Sequence, residues 1–338
     1  MTVNPLQVGS VRTTTNLVLS PMSGVTDSAF RRMVKYCSGD AVGLLVSEFV
    51  AAEGLTRDNA KTIRMLRYLE SERPISIQIY GADVDRMVRA AQMVEEAGAD
   101  IVDINCGCPA PKVVRRGGGA QLLRDPERLA EIVRETVAAV RIPVTVKIRS
   151  GWDHATLNAV EIARRVEAEG ASMLAVHGRT RVQLYSGLAD WDVVARVRDA
   201  VAIPVLGSGD VVTPALAVAR LADGTADGVM IGRGAMSNPW IFAQSQAAAA
   251  GRPVTLPAAA DLVGALATFC DALREVLPDH AFMGRYRGLA CHLVKGMRGS
   301  AAVRAVIGSV KTVDEIAAIF ADFVFGATDT PLLRSAAG

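Results

Sequence analysis

The sequence predicts a closed (β/α)₈ barrel (TIM barrel) followed by a small C-terminal helical domain. Short apolar runs rich in β-branched residues recur through the first two thirds of the chain, and a helical pattern follows each run. Most of these runs are roughly 25–30 residues apart, which is the length of one βα unit. Because eight such units follow one another, a closed barrel is favoured over an open doubly wound sheet.

The eight runs are almost continuously apolar, as strands buried on both faces should be. They occupy 16–22, 44–50, 75–81, 100–107, 144–150, 173–179, 204–210 and 227–233. The helices between them carry clear start signals. Asp83 opens one helical pattern, and Asp125-Pro126 and Thr213-Pro214 each place a capping residue before a proline at the first helical position.

Two departures from the regular repeat mark the domain organisation. A Gly-, Pro- and Arg-rich insert at 108–125 follows the fourth run, and long loops at this end of a barrel strand commonly carry function. From about residue 255 onward, helical patterns continue without strands. We therefore predict a catalytic barrel over 1–245 and a helical domain over 255–338, with 247–260 as the linker.

Bulk composition limits the classes of function. Half of the 338 residues are apolar and the formal net charge is +2, so bulk charge neither requires nor excludes a nucleic-acid partner. Five cysteines without a CxxC pair fit a reducing compartment and no metal site. The sequence contains no signal-peptide pattern and no apolar segment long enough to cross a membrane. We expect a cytoplasmic protein that is monomeric or weakly associated.

Polar residues recur where the predicted strands end, and in a barrel this is where active sites form. The strand-end residues are Pro21, Met22, Gln78, Asn105, Cys108, Lys147, Arg149, His177, Arg179, Ser208, Gly209, Asp210, Gly232 and Arg233. Taken singly, Gln78 could satisfy a buried backbone group and His177 could be a packed core histidine. Together they favour a functional ring, because a dry barrel mouth has no use for so many polar groups.

Two features of this ring suggest an anionic, ring-shaped cofactor. Glycine turns after the seventh and eighth runs let backbone N–H groups approach a phosphate, and helices are expected to begin after them. Lys147 would place a positive charge beneath a bound ring, as a flavin's pyrimidine end requires when reduction adds negative charge. The alternative for Lys147 is an ion pair with a neighbouring carboxylate.

Several motifs resemble those of one family, the tRNA-dihydrouridine synthases, and are most similar to its bacterial B-type branch. PMSGVTDSAFR (21–31) resembles the family's opening motif, and DINCGCPAPKV (103–113) resembles its catalytic loop. VHGRTRVQLYSGLADW (176–191) and MIGRGAMSNPWIF (230–242) follow in the same order. The resemblance covers roughly 16–311.

The resemblance implies an enzyme that reduces specific uridines in tRNA to 5,6-dihydrouridine, with FMN as cofactor and NADPH as reductant. It implies FMN contacts at Pro21, Met22, Ser23, Gln78, Lys147, His177, Ser208, Gly209, Asp210, Gly232 and Arg233. It implies Cys108 as the catalytic acid, with Asn105 near the base and the flavin. Ser208 replaces the Asn of many members, which weakens the role assigned to its side chain; Ser20 replaces the usual Ala.

The chemistry agrees with this assignment. Reduction of the C5=C6 bond of uracil needs a hydride at C6 and a proton at C5, and a thiol with an ordinary pKa of ~8.5 is mostly protonated at neutral pH. The alternative for Cys108 is a buried structural thiol. Cys106 is interpreted as a packing residue.

RNA contacts are expected from basic side chains at two places, the barrel mouth and the helical domain. The candidates are Lys112, Arg115, Arg116, Arg149, Arg179, Arg181 and Tyr185 in the barrel, and Arg285, Arg287, Lys295 and Arg298 in the helical domain. The stretch from 285 to 311 contains no acidic residue, which fits phosphate binding and a solvated helix face equally well, and the family resemblance favours phosphate binding.

Two other functions stay open on the sequence alone. An FMN barrel acting on a small pyrimidine, such as a dihydroorotate dehydrogenase, would share the flavin site but would not need the basic helical domain. A non-catalytic RNA-binding protein would have no use for Cys108 and Lys147, and its purified solution would not be yellow.

Overall fold

The computed structural model describes residues 3–277 and 279–326 of the chain. Its centre is a barrel of eight parallel strands. These are β1 (Leu17–Leu19), β2 (Leu44–Val46), β3 (Ile75–Tyr80), β4 (Ile101–Cys106), β5 (Val144–Arg149), β6 (Met173–His177), β7 (Val205–Ser208) and β8 (Gly228–Ile231). Each strand pairs with the next in the chain, and β8 pairs with β1, so the barrel is closed. Each predicted run contains one of these strands, which confirms the predicted fold. The second run also contains the start of a two-residue strand, Val50–Ala51, that pairs with β3.

Helices surround the barrel and extend beyond it. In the described part of the chain they are α1 (Ser28–Ser38), α2 (Ala52–Leu55), α3 (Ala60–Arg64), α4 (Val84–Glu96), α5 (Pro111–Val114), α6 (Pro126–Ala139), α7 (Ala159–Ala168), α8 (Trp191–Arg198), α9 (Pro214–Ala222), α10 (Arg233–Ser237), α11 (Ile241–Ala249), α12 (Ala259–Val276), α13 (Asp279–Leu293), α14 (Ser300–Ser309) and α15 (Val313–Gly326). None of these helices combines the length and apolar character that crossing a membrane requires.

The helix starts predicted from capping residues are confirmed. The side chain of Asp83 accepts a hydrogen bond from the backbone N–H of Arg86 at the start of α4. Asp125 and Thr213 do the same for the third residues of α6 and α9, each before a proline. A side-chain oxygen thus satisfies one backbone donor that the first turn leaves without an intrahelical acceptor.

The amino-terminal end of the barrel is closed by a hairpin. Its strands, Gln7–Val8 and Val11–Arg12, pair antiparallel. Leu6 and Val8 are buried against a cluster of barrel residues that includes Leu44 and Ile101. Since apolar side chains plug this end in the described part of the chain, a ligand has access to the barrel from the carboxyl ends of the strands.

Helices α12 to α15 form a unit, here called the helical unit, that packs on the barrel. Helix α12 lies along α1, and its buried Leu262, Leu266 and Phe269 belong to the same apolar cluster as the barrel helices. An ion pair of 2.6 Å between Arg32 and Glu275 borders this contact. The helical unit therefore shares a core with the barrel. Residues 327–338 of the predicted second domain lie outside the described residues.

Candidate active site

A cavity of about 570 Å³ opens at the carboxyl ends of the strands, a size suited to a small-molecule ligand. It brings together most of the polar residues predicted at the strand ends. Those lining it are Pro21, Met22, Ser23, Asn105, Cys108, Lys147, Arg149, His177, Tyr185, Ser208, Gly209, Asp210, Gly232 and Arg233. The apolar wall includes Val25, Phe49, Met230 and Met236, none of which the sequence analysis had named.

Strand register explains why these side chains meet. Asn105 at the end of β4 lies beside Lys147 of β5. His177 at the end of β6 lies between Arg149 of β5 and Ser208 of β7. Neighbouring residues of parallel strands lie only about 4.8 Å apart across the sheet, so each pair shares one side of the mouth.

Gln78 lies behind the residues that line the cavity, and its contact with a flavin stays a prediction. Its amide is fully buried, where it donates to Asp103 Oδ2 at 2.6 Å and accepts from Asn105 Nδ2 at 2.7 Å. The Thr145 hydroxyl donates to the other oxygen of Asp103 at 2.6 Å. Gln78 therefore orients Asn105 from below. Sequence reasoning missed Asp103, although it precedes Asn105 by two residues and so points to the same face of β4.

Asn105 in turn shapes the loop that carries Cys108. Its side-chain oxygen accepts from the backbone N–H of Gly107 at 3.2 Å and of Cys108 at 2.9 Å. The loop then folds back, and the N–H of Ala120 donates to the carbonyl of Cys108 at 3.0 Å. Gly119 is required here because its φ is +58° and a Cβ would lie 2.8 Å from that carbonyl oxygen. The predicted loop thus has a fixed shape around Cys108.

The two cysteines of this segment have different environments. Burial raises the pKa of the Cys108 thiol, and the Ala110 N–H and the charge of Arg149 offset this only in part. The thiol therefore stays protonated at neutral pH while facing the cavity. Cys106 is fully buried in the apolar core and faces away from the cavity, which agrees with its interpretation as a packing residue.

Lys147 contributes an uncompensated positive charge to the cavity. Among the described residues, its ammonium group has no ion-pair or hydrogen-bond partner, so the alternative of a paired lysine does not describe this site. Burial lowers its pKa to about 8, the charge of Arg149 adds to the lowering, and the charge of Asp103 opposes it. A desolvated cation of this kind gains free energy when an anionic group binds beside it.

His177 stays neutral at physiological pH. Burial lowers its pKa far below the usual value, and the surrounding positive charges of Lys147, Arg149, Arg179 and Arg233 lower it further. Its Nε2 accepts from Arg179 Nη1 at 3.3 Å, so the neutral ring can offer its Nδ1–H donor to a ligand but no charge.

Asp210 is held by two arginines and leaves the mouth positively charged. Buried Arg179 donates to both oxygens of Asp210 at 2.7 Å, and Arg233 donates to one oxygen at 3.1 Å. Burial favours the neutral acid, but these hydrogen bonds and charges hold the pKa of Asp210 below its usual value. Arg179 does not line the cavity, so its predicted contact with RNA is corrected to a contact with Asp210.

Arg149 and Arg181 are also held by the protein itself. Arg149 donates to the carbonyls of Gly107, Thr180 and Leu184 at 2.8–2.9 Å and so ties the Cys108 loop to the loop after β6. Arg181 stacks on Trp152 with its guanidinium carbon 4.8 Å from the ring centre. Of these two predicted RNA contacts, only Arg149 reaches the cavity wall.

Tyr185 is half exposed on the same loop, with the guanidinium carbons of Arg149 and Arg233 at 5.7 and 4.9 Å from its ring. Its ring lines the cavity and offers a flat face to a planar ligand.

The glycine turns differ in part from the expectation. A Cβ on Gly209 would lie 2.4 Å from the Cβ of Ala189, so packing already demands this glycine. Helix α9 begins only at Pro214, with Val211 and Val212 between it and the turn. Gly232 directly precedes α10, whose first N–H groups have no intrahelical acceptor. Of the two turns, only the second leads directly into a helix.

The basic residues of the helical unit fall into two groups. Arg285 donates to Asp27 Oδ2 at 2.6 Å, and Arg287 donates to the carbonyls of Ile307 and Val310 at 3.1 and 2.6 Å. These two guanidinium groups are used inside the protein, which corrects the expectation that they face RNA. Lys295 and Arg298 are exposed and, within the described part of the chain, form no ion pair.

The predicted RNA contacts of the catalytic loop lie on the surface. Lys112, Arg115 and Arg116 are all exposed. Arg116 approaches Glu53 at 3.4 Å, whereas the other two form no ion pair with any described residue. Across the ranges that the structure describes, no group of three or more His, Cys, Asp or Glu side chains could hold a metal ion.

Comparisons with known proteins place this geometry in context. The model of the dihydrouridine synthase family matches residues 18–324. A probable tRNA-dihydrouridine synthase of Rickettsia prowazekii is 35% identical over 327 residues, which cover 96% of this chain and 99% of that protein. The tRNA-dihydrouridine synthase B of Pseudomonas putida is 42% identical over 241 residues, 71% of this chain and 70% of that one.

Solved structures share the fold at much lower identity. Morphinone reductase superposes with a TM-score of 0.55 at 17% identity, covering 77% of this chain and 92% of that one. Histamine dehydrogenase from Rhizobium sp. 4-9 gives a TM-score of 0.56 at 15% identity, covering 79% of this chain and 50% of that one.

Proposed function

The chain belongs to the dihydrouridine synthase family, near its bacterial B-type branch, and from this premise we propose that it reduces specific uridines in tRNA to 5,6-dihydrouridine. The proposal includes FMN as the bound cofactor, NADPH as the reductant and Cys108 as the proton donor. One observation carries it: a thiol that stays protonated faces a cavity that also holds an unpaired cation, Lys147.

The cavity residues fit a flavin. A flavin has an apolar ring system, a pyrimidine end that becomes negative on reduction, and a phosphate. Met22 and Met236 supply apolar surface, Lys147 supplies an uncompensated charge, and the first turn of α10 with Arg233 supplies anion-binding groups. Lys147 would hold the pyrimidine end, and Gly232 and Arg233 would hold the phosphate.

The remaining side of the mouth fits a uracil base. A reduced flavin held in the cavity would provide the hydride that C6 of the base requires. Cys108 donates a proton from its Sγ to C5, and burial keeps that proton in place at neutral pH. Asn105, oriented by Gln78 and Asp103, holds the Cys108 loop through its side-chain oxygen and would offer the second N–H of its Nδ2 to the base.

The target uridine must leave the folded tRNA to reach the cavity, at a cost of a few kcal/mol. Tyr185 offers a stacking surface at the mouth. Lys112, Arg115, Lys295 and Arg298 are exposed cations suited to phosphate contacts, because they are not neutralised by described side chains.

The proposal is tested by anaerobic flavin spectroscopy on the full-length protein. NADPH should bleach the flavin absorbance, and tRNA transcribed without modifications should restore it with formation of dihydrouridine. Orotate and free uridine are the controls. Restoration by orotate but not by tRNA would favour the small-pyrimidine oxidoreductase, and a colourless protein that binds tRNA would favour a non-catalytic binder.

A further inference from the structure

One loop of the cavity is fixed by three charged side chains. The segment 20–27 connects β1 to α1, and its Pro21, Met22, Ser23 and Val25 line the cavity. Glu48 accepts from the N–H of Gly24. Arg31 donates to the carbonyl of Thr26 at 2.8 Å.

The third side chain is Arg285, and it comes from the helical unit. Its Nη2 donates to the carbonyl of Val25 at 2.9 Å and to Asp27 Oδ2 at 2.6 Å. Val25 and Asp27 lie 260 and 258 residues away in sequence. Both side chains of the ion pair are largely buried, with 23% and 14% of Arg285 and Asp27 exposed.

The three side chains that bond to this loop belong to different parts of the protein. Arg31 is itself held by buried Glu72 at 2.6 Å, and both residues belong to the barrel. Glu48 follows β2 and also belongs to the barrel. Arg285 holds the loop only while α13 is docked. Helix α13 also packs against α10, whose first residue, Arg233, lines the cavity. The helical unit therefore touches two separate walls of the cavity.

We propose that Arg285 is a positioning residue for the flavin site, through which the docked helical unit sets the shape of the cavity loop 20–27. This inference rests on the proposed binding of FMN in the cavity. A loop held at Val25 presents Met22 and Ser23 in a fixed arrangement, so the protein does not lose loop entropy when the flavin binds. Without Arg285, the loop must become ordered when the flavin binds, and the entropy lost in this ordering weakens binding.

The test measures the dissociation constant for FMN by fluorescence titration of full-length protein freed of flavin. Arg285→Met removes both hydrogen bonds and should weaken FMN binding about ten-fold, the effect of one charge-assisted hydrogen bond. Arg285→Lys should restore most of the affinity, because a single nitrogen makes both bonds and an ammonium group can replace it.

A second variant guards against simple misfolding. Arg285→Met leaves the Asp27 carboxylate buried without its partner, which itself destabilises the fold. The double change Arg285→Met with Asp27→Asn removes that charge, keeps a side-chain cap on α1 and still lacks the bond to Val25. It should bind FMN as weakly as Arg285→Met does.

The matched control is Arg287→Met. Arg287 lies on the same helix, and its hydrogen bonds to described residues go to carbonyls within the helical unit, so its loss should lower Tm without changing FMN affinity. Wild-type affinity in the double variant, or equal weakening in Arg287→Met, would overturn the inference. If the wild-type protein itself does not bind FMN, the proposed function fails and this inference fails with it.

Discussion

The barrel mouth and the helical unit both carry polar residues that the sequence analysis assigned to function, but the structure uses them differently. At the mouth, Asn105, Cys108, Lys147 and His177 converge on one cavity. In the helical unit, basic residues that lie close together in sequence have different environments. Arg285 bonds to the barrel, whereas Arg298 is exposed to solvent.

The difference follows from topology. The carboxyl end of a parallel barrel strand has a fixed position, and its side chains have fixed directions. A polar residue there therefore usually lies at or next to the cavity. A helix displays side chains all around its axis, and a local count of charges does not say which of them a neighbouring element will bind. A basic stretch therefore predicts an RNA surface less securely than a ring of strand ends predicts an active site.

The largest expected effect concerns the two cysteines of the barrel mouth. Cys108→Ala should slow reoxidation of the reduced flavin by tRNA about 10²- to 10⁴-fold, because it removes a positioned general acid. Cys106→Ala should cost far less in rate, since its side chain packs in the core. Anaerobic stopped-flow absorbance measures both rates. Equal rates in the two variants would contradict the assignment of Cys108 to the cavity as the acid and of Cys106 to the core as a packing residue.

The next effect concerns the uncompensated charge beneath the cavity. Lys147→Ala should weaken FMN binding about ten- to a hundred-fold, the range for a hydrogen bond to a charged group. Lys112→Ala removes a cation from the exposed loop and should leave FMN affinity unchanged. Unaltered binding in Lys147→Ala, measured by flavin fluorescence, would remove the lysine from the site.

A smaller effect is a pH dependence of cofactor binding. The pKa of Lys147 without ligand is lowered to about 8. Flavin binding favours the protonated lysine, so affinity should be greatest below that pH and fall as the pH rises through it, by at most about ten-fold per pH unit. Lys147→Arg keeps its charge throughout and should give a flatter profile. A wild-type affinity that is constant from pH 7 to 9 would contradict this.

The smallest effect is expected in the helical unit. Arg298→Glu should weaken tRNA binding and should lower the salt slope by about one, the value of one phosphate contact. The weakening relative to wild type should therefore be at least about three-fold larger at 50 mM salt than at 200 mM salt. Arg12→Glu makes the same charge change on the hairpin at the opposite end of the barrel and should have little effect. Filter binding across a salt series measures the salt slope of tRNA binding for both variants. Identical slopes would indicate that the exposed cations form a solvated helix face and do not contact phosphate.

How far the sequence predicted the molecule also depends on the region. All eight strands and the helix starts at Asp83, Asp125 and Thr213 were predicted, because periodicity and capping are local properties of the chain. Cys108 and Lys147 were placed at the mouth by the same reasoning. The chain of hydrogen bonds from Asp103 through Gln78 to Asn105 was not predicted, because it depends on which residues of neighbouring strands lie side by side.

The partners of arginines were the least predictable feature. Arg179, Arg181 and Arg285 all looked like RNA contacts, yet each is held by protein groups distant in sequence. A long side chain with five donors can reach many acceptors, and only the packed structure selects among them.

The central claim is that the barrel mouth, with Cys108 as its acid, makes dihydrouridine in tRNA. Its most direct test is to map dihydrouridine in tRNA from cells that lack this chain and from the same cells expressing single variants. Specific dihydrouridines should be missing, and should return with the wild-type chain and with Cys106→Ala but not with Cys108→Ala. An unchanged map in the deleted cells, or full restoration by Cys108→Ala, would contradict the account.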